Sequence, residues 1–204
     1  NDIREILEIG TGTGVVALML AQRYSQAKID AVEIDIAASL TADLNFRNSP
    51  YAQNITLIRS SFEDHFLSPA GKCYDLIISN PPYFVNSLKS EDPSKGLARH
   101  TDIVFFKNLI TGSSAHLSPQ GLLYLILPLD TAVLVRNLLS PTTGLVVKKT
   151  IFIHSFHESK PYRCILVIGQ GIQSSVVQKF VIYKTQNNYT EEYRQLLKDY
   201  LTIF

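Results

Sequence analysis

Short apolar runs alternate with amphipathic stretches along most of the chain. Ile6 to Ile9 is apolar and ends in glycines, and Val15 to Tyr24 follows with the apolar spacing of a helix. Ile29 to Ile34 is strand-like, and Ala37 to Arg47 predicts a helix closed off by Asn48-Ser49-Pro50. Ile55 to Ile58 and Tyr74 to Ser79 predict two more strands. The polar stretch Lys89 to Lys95 contains Pro93 and predicts a loop, and Ile103 to Leu117 a helix stopped by Ser118-Pro119-Gln120-Gly121. Leu122 to Leu127 reads as a strand and Thr131 to Leu139 as a helix. Leu145 to Ile153 and Cys164 to Gly169 predict strands joined by a polar loop, His154 to Arg163, with Val176 to Tyr183 a further strand. Thr190 to Tyr200 closes the chain as a helix, with Thr190 as N-cap and Glu191 and Glu192 in its first turn.

Strands alternating with helices predict an α/β domain, a mostly parallel sheet with helices on both faces. Right-handed crossovers gather the loops after the strands on one edge, where ligands bind near the point of strand-order reversal. The last strands have no helical pattern between them, so that end is expected to be antiparallel. A length of 204 residues suits a single domain over 1–204. No apolar run reaches the roughly 18 residues of a membrane span, and no signal peptide is visible at the start. The chain opens on Asn1, which reads as a fragment lacking a natural N-terminus. Cys73 and Cys164 lie in no metal spacing and are expected to be buried free thiols; the five histidines form no metal motif either, so no metal is expected. A net charge of +1 argues against an extensive nucleic-acid surface but leaves room for a local basic patch.

Two constellations carry chemistry. The first is Glu8-Ile9-Gly10-Thr11-Gly12-Thr13-Gly14, at a strand-to-helix junction. Its glycines are spaced GxGxG, and Val15 stands where a dinucleotide loop needs its third glycine. Such glycines let backbone approach a ligand, and the helix N-terminus behind them favours an anion, here the carboxylate of a methionine moiety. Glu8 can hold the ammonium of that same amino acid. Glu33 follows Gly14 by nineteen residues, at the end of the second strand, where a carboxylate can accept both hydroxyls of a ribose. Ile34 is then placed to pack on an adenine face, Asp35 to cap the next helix, and the turn Ser61-Phe62-Glu63 to meet the adenine edge. Together these residues point to S-adenosylmethionine as cofactor.

The second is Asn80-Pro81-Pro82-Tyr83-Phe84, directly after the fourth strand. Paired prolines force an extended, rigid exit from the strand. The Asn80 side-chain oxygen and the Pro81 carbonyl can each accept an N–H from a planar amine. That favours a tetrahedral nitrogen and aims its lone pair at a methyl donor. Tyr83 can stack on the planar group and Phe84 can wall the pocket. Adenine and a glutamine side-chain amide both offer this N–H pair.

Glu8 to Gly14, Glu33 and Asn80 to Tyr83 resemble the class I methyltransferases that modify amino groups of adenine, guanine or glutamine. Within that group the chain resembles the bacterial tRNA1(Val) adenine-37 N6-methyltransferases. The closer match lies in the glycine loop with Ala17-Leu-Met-Leu-Ala-Gln, in Ile29-Asp-Ala-Val-Glu-Ile-Asp, in Ser79-Asn-Pro-Pro-Tyr-Phe and in the tail Tyr189-Thr-Glu-Glu-Tyr-Arg. The resemblance implies a Rossmann-like class I methyltransferase fold with a mostly parallel, seven-stranded sheet and an antiparallel strand at the C-terminal end. It implies a monomeric cytoplasmic enzyme that methylates the adenosine beside a tRNA anticodon, and an N-terminal segment that this chain lacks. It assigns cofactor binding to Gly10, Gly12, Gly14, Glu33 and the Ser61-Phe62 turn, and amine binding to Asn80 and Tyr83. A release-factor glutamine methyltransferase, an rRNA guanine N2-methyltransferase and a degenerate fold serving as a binding module are the alternatives. Lys89, Lys95, Arg99, Lys148, Lys149, Lys160 and Arg163 are candidate phosphate contacts, and Lys160-Pro161-Tyr162-Arg163 combines cations with an aromatic in what is expected to be a loop. The polar stretch Asn86 to His100 is a candidate lid.

Overall fold

The computed structural model describes residues 2–68, 71–81, 93–139, 143–172 and 176–202, excluding the side chains of 93–102. The alternation read from the sequence becomes β1 (Glu5–Ile9), α1 (Val15–Arg23), β2 (Lys28–Val32), α2 (Ile36–Arg47), β3 (Ile55–Ile58), α3 (Phe62–Leu67) and β4 (Tyr74–Ser79). Then follow α4 (Pro93–His116), β5 (Leu117–Leu127), α5 (Leu129–Leu138), β6 (Leu145–Phe156), β7 (Pro161–Gln170), β8 (Val176–Thr185), β9 (Asn188–Tyr189) and α6 (Glu191–Leu197).

The strands among the described residues join one sheet in the order β3-β2-β1-β4-β5-β7-β6-β8-β9. The five strands from β3 to β5 run parallel, and β7 is antiparallel to both its neighbours. The seven-stranded, mostly parallel sheet is therefore present, and two further strands extend it. β8 lies parallel to β6, and short β9 pairs antiparallel with β8. Strand order reverses between β1 and β4, so their carboxyl ends open the crevice where a ligand can enter.

Each face of the sheet has its own core, because alternate strand residues point to opposite sides. On one side Ile6, Ile29 and Ala31 pack against Ala17 and Ala21 of α1 and Ala42 and Phe46 of α2. Alanines on α1 let its backbone lie close to the strands. On the other side Leu7, Ile9 and Ile77 meet Phe62 of α3, Phe106, Leu109 and Ile110 of α4, and Val135 of α5. Gly112 of α4 seats the Phe66 ring so closely that an added Cβ would lie 2.1 Å from it. Edge-on contacts of Phe62 with Phe66 and Phe105 then lock α3 to α4.

A polar cluster is built into this second face. The Tyr74 hydroxyl donates to the Asp30 carboxylate at 2.8 Å and pairs with His65 Nε2 at 2.9 Å. Lys72 bridges the same Asp30 oxygen and Glu5, each at 2.8 Å. Burial pushes the Tyr74 phenol upward and His65 downward, so both stay neutral near pH 7.

Several expectations need correction. Pro93 to Lys95 form the first turn of α4 rather than a loop, since a proline at a helix start has its φ preset and an N–H that needs no partner. The lid stretch Asn86 to His100 is helical from Pro93 on; its earlier residues, like Lys89, lie outside the described residues. Ser118 to Gly121 do not separate helix from strand. They form a bulge in β5, between the pairs Tyr74–Leu117 and Leu76–Leu122. Ser118 Oγ donates to Asp75 there, and only a glycine fits at 121, where a Cβ would lie 2.6 Å from the Tyr74 carbonyl. The loop His154 to Arg163 shrinks to a turn at 157–160, because His154 pairs with Pro161 and Ile153 with Arg163. Polar side chains do not prevent pairing when they project to solvent. Cys164 is buried as expected, but Cys73 is exposed.

Tyr74→Phe removes the hydrogen bonds to Asp30 and His65 while keeping the ring. Equilibrium urea unfolding is expected to show a loss of about 1–3 kcal/mol. An unchanged midpoint would mean that water replaces the hydroxyl at no cost.

Candidate active site

β1 delivers the glycine loop to the sheet edge. Gly10, Gly12 and Gly14 have φ of +73°, +58° and +86°, a left-handed run that L side chains rarely adopt. The loop is fastened from below. Gly10 and Thr11 donate to the Val32 carbonyl at 2.9 and 3.0 Å, and Gly12 donates to Glu33 Oε2 at 2.7 Å. Glu33 is only 8% exposed; its other oxygen accepts the Asp35 N–H at 2.8 Å, and its own N–H donates to the Ile58 carbonyl. One carboxylate thus joins the ends of β1 and β2, beside β3. Gly14 lies against the Phe46 ring, where a Cβ would sit 2.4 Å from Cε1, whereas the Cβ directions of Gly10 and Gly12 are open.

Glu8 lies under the loop, 5% exposed, and accepts the Thr11 hydroxyl at 2.6 Å. Burial pushes its carboxyl up to about 7, and the nearby Glu33 charge adds to this; bonds from Thr11 and the Ala17 backbone oppose it. Ser79 Oγ, buried, donates to the Ile9 carbonyl at 2.9 Å and ties the end of β4 to the end of β1. Asn80 emerges exposed directly after this tie, and Pro81 is buried beside it.

A cavity of about 520 Å³ occupies the carboxyl ends of the first four strands. It brings together Gly10, Glu33, Ile34, Ser61, Phe62, Asn80 and Pro81 of the predicted set. Ile34 is 73% exposed at its rim. Glu8, Thr11, Gly12 and Gly14 shape and support the loop at the side of this cavity and are not among the residues that line it. Ser61 is the N-cap of α3, accepting the Asp64 N–H at 3.0 Å, and Phe62 is a buried residue of that helix rather than part of a free turn. Lys160 and Arg163 are not in the cavity. Lys160 lies in the β6–β7 turn and Arg163 near the start of β7, on the same edge of the sheet. Pro82, Tyr83 and Phe84 lie outside the described residues, as do the side chains of Lys95 and Arg99. Sequence reasoning missed Phe105, a cavity wall contributed by α4. Its only signal was the adjacent pair Phe105-Phe106 in a helix, of which one member had to face a different way. No set of three or more His, Cys, Asp or Glu among the described residues could hold a metal ion. No helix among them is long and apolar enough to cross a membrane.

The family model described as methyltransferase small domain matches residues 1–133. A Pedobacter heparinus protein named tRNA1(Val) (adenine(37)-N6)-methyltransferase is 42% identical over 206 residues, covering 100% of this chain and 86% of that one. A Haemophilus influenzae protein of the same name is 34% identical over 98% of this chain and 84% of its own. Among solved structures, a predicted O-methyltransferase from Agrobacterium tumefaciens aligns with a TM-score of 0.68 at 16% identity, covering 97% of this chain and 90% of that one. TrmN from Thermus thermophilus aligns at 0.61 and 20% identity, over 82% of this chain and 44% of its own. These two show the fold. The chain belongs to the methyltransferase small domain family and, within it, to the group of the tRNA1(Val) (adenine(37)-N6)-methyltransferases.

Gly14→Ala combines a left-handed φ with a clash against Phe46. It is expected to cost about 1–3 kcal/mol of stability, read by thermal and urea melts; a wild-type melt would show that the loop re-forms around the methyl group. Glu8 gives a pH test. Folding raises its pKa from 4.5 to about 7, so the folded state holds more protons between these values. The contribution of Glu8 to stability is therefore fully present below about 4.5 and is lost as pH rises to 7, on the order of 2–3 kcal/mol. Glu8→Gln flattens this slope in unfolding titrations across the range; an identical slope in the variant would rule out Glu8 as its source.

Proposed function

We propose that this member of the tRNA1(Val) (adenine(37)-N6)-methyltransferase family uses S-adenosylmethionine to methylate the exocyclic N6 amine of an adenosine in tRNA, at position 37 beside the anticodon. The observation that carries the reading is a single cavity shared by the Gly10 turn, Glu33 and Asn80-Pro81. It sets a cofactor-type loop and an amine-type loop side by side, and the relatives' names supply the substrate.

The residues present suit this cofactor. Glu33 spends one lone pair of each oxygen on a backbone N–H, and a carboxylate offers about four acceptor sites. It can therefore still accept ribose hydroxyls. Ile34 at the rim and Phe62 within offer apolar surface for an adenine. The open sides of Gly10 and Gly12 leave room beside the loop, and Glu8 carries the acceptor for an ammonium. An ammonium there favours the ionised form of Glu8, so cofactor affinity is linked to proton release near pH 7. When bound, S-adenosylmethionine supplies a methyl group on a positively charged sulfur.

The protein's own part is positioning. Asn80 and the Pro81 carbonyl accept the two N–H bonds of the amine and hold its nitrogen lone pair toward the cavity. The Ser79–Ile9 bond keeps that platform at a set distance from the glycine loop. The nitrogen becomes acidic only after it forms the new bond, so a base of matched pKa is not required beforehand. An adenine presented this way must leave its stack, which costs least in an unpaired loop.

The test is transfer of labelled methyl groups to unmodified tRNA, with a peptide release factor in parallel. Label recovered as N6-methyladenosine in the anticodon loop is the expected result; label in the release factor would replace the reading with glutamine methylation. Asn80→Ala is expected to lower kcat by at least ~10²-fold, the usual scale for a preorganised hydrogen-bonding group, with cofactor affinity nearly unchanged by calorimetry. A wild-type kcat would remove Asn80 from the mechanism.

A further inference from the structure

The corner of the sheet farthest from the cofactor cavity carries a run of aromatic rings. Phe156 of β6 lies beside its cross-strand partner Tyr183 of β8, ring centroids 5.7 Å apart. Tyr183 stacks on Tyr189 at 4.9 Å, and Tyr189 on Tyr193 of α6 at 5.0 Å with an interplanar angle of only 13°. The Tyr183 and Tyr189 hydroxyls are hydrogen-bonded to each other. The inner tyrosines spend their faces on one another and hold β9 and α6 to the sheet. The outer rings keep more surface open: Phe156 is 41% exposed, and Tyr162, at the start of β7 on the same edge, is 47% exposed.

Topology puts these rings on the working edge of the molecule. β5 is parallel to β4, and β6 and β8 point the same way because β7 is antiparallel to both β5 and β6. The carboxyl ends of β6 and β8, where Phe156 and Tyr183 stand, therefore share an edge with Asn80 at the end of β4. β4 and β8 are four strand positions apart, about 19 Å at the usual inter-strand spacing. That is within the width of an RNA stem-loop.

Charge is distributed to match. From residue 143 onward the sequence has eight Lys and Arg against four Asp and Glu, although the whole chain carries only +1. Lys160 is exposed in the β6–β7 turn, Lys184 is exposed beside Tyr183, and the Lys179 ammonium lies on the His157 carbonyl of that turn. The acids nearby are fewer, and they hydrogen-bond neighbours: Glu158 with His157, Glu191 with Gln195 and Glu192 with Gln178. Exposed rings interleaved with cations are the chemistry that binds single-stranded nucleic acid, with bases on the rings and phosphates on the cations.

We propose that the outer rings Phe156 and Tyr162, backed by the tyrosine stack and flanked by Lys160 and Lys184, form a stacking platform for unpaired nucleotides of the same tRNA loop that presents its amine to Asn80. The proposal rests on the tRNA reading above. It gives the expected cations a partner in recognition: they neutralise phosphate, and the rings select for a loop with bases free to leave their stack.

The experiment uses the double variant Phe156→Ala/Tyr162→Ala, with tRNA binding followed by fluorescence anisotropy over a salt series. Affinity for tRNA is expected to fall about tenfold or more, the scale of one lost base stack. The salt slope, the melting temperature and the S-adenosylmethionine affinity should stay as in the wild type. Phe156→Trp/Tyr162→Trp restores binding, because any π-face serves. Lys160→Glu/Lys184→Glu reduces the salt slope as well as the affinity. If the wild type methylates tRNA and the alanine double variant binds it equally well, the platform is wrong and the tRNA reading stands. If the wild type labels a release factor and leaves tRNA unlabelled, both fall together. Weaker binding of the alanine variant without rescue by tryptophan also overturns the stacking role.

Discussion

The site depends on one buried carboxylate. Glu33 takes a backbone N–H from Gly12 with one oxygen and from Asp35 with the other. The first bond holds a turn with three left-handed glycines, a shape that would otherwise be a costly loss of chain entropy, and the second holds the start of α2. Burial beside this carboxylate pushes the neighbouring Glu8 toward neutrality. A residue expected to grip a ribose is thus first the fastening of the loop. The two roles are compatible because each oxygen still has acceptor capacity.

The rest of the edge is braced in the same manner. Ser79 ties β4 to β1 just before Asn80, so the Asn80-Pro81 turn and the glycine loop share one rigid base. Phe62, Phe66 and Phe105 interlock α3 with α4 and turn one side of that base into an aromatic wall. Positioning a planar amine against a methyl donor needs little chemistry from the protein but much rigidity, since small misplacements forfeit most of the gain from orientation. The polar cluster of Asp30, Tyr74, His65 and Lys72 serves the same end within the α3–α4 face of the sheet. It joins the start of β4 to the middle of β2 through bonds that a purely apolar core could not direct.

Beyond β6 the molecule departs from a plain doubly wound sheet. β8 and β9 extend the edge, and α6 seals it through stacked tyrosines. Extending a sheet leaves exposed strand edges unless something covers them. The same extension of the sheet gathers rings and cations on the edge that carries Asn80.

Much of this was legible in the sequence for a physical reason: local rules governed it. Apolar periodicity placed β3 and β4 to the residue and most other elements within a few. The glycine spacing, Glu33 and the Asn80-Pro81 turn needed only the alternation of strands and helices to be assigned to one edge. Asp35 and Thr190 cap their helices as their side-chain chemistry predicts. What the sequence could not determine was every feature whose partner is distant in the chain. Polar His154 to Arg163 pair as a hairpin, and Ser118 to Gly121 bulge inside a strand, because tertiary neighbours overrode local preference. Phe105 reaches the cavity only because Phe62 and Gly112 set how α4 lies on α3. Tyr162, Tyr183, Tyr189 and Tyr193 read singly as ordinary aromatics. Pairing of β7 with β6, of β6 with β8 and of β8 with β9 gathers the strand tyrosines, and stacking on Tyr189 adds Tyr193; contacts between residues far apart in sequence leave no local trace.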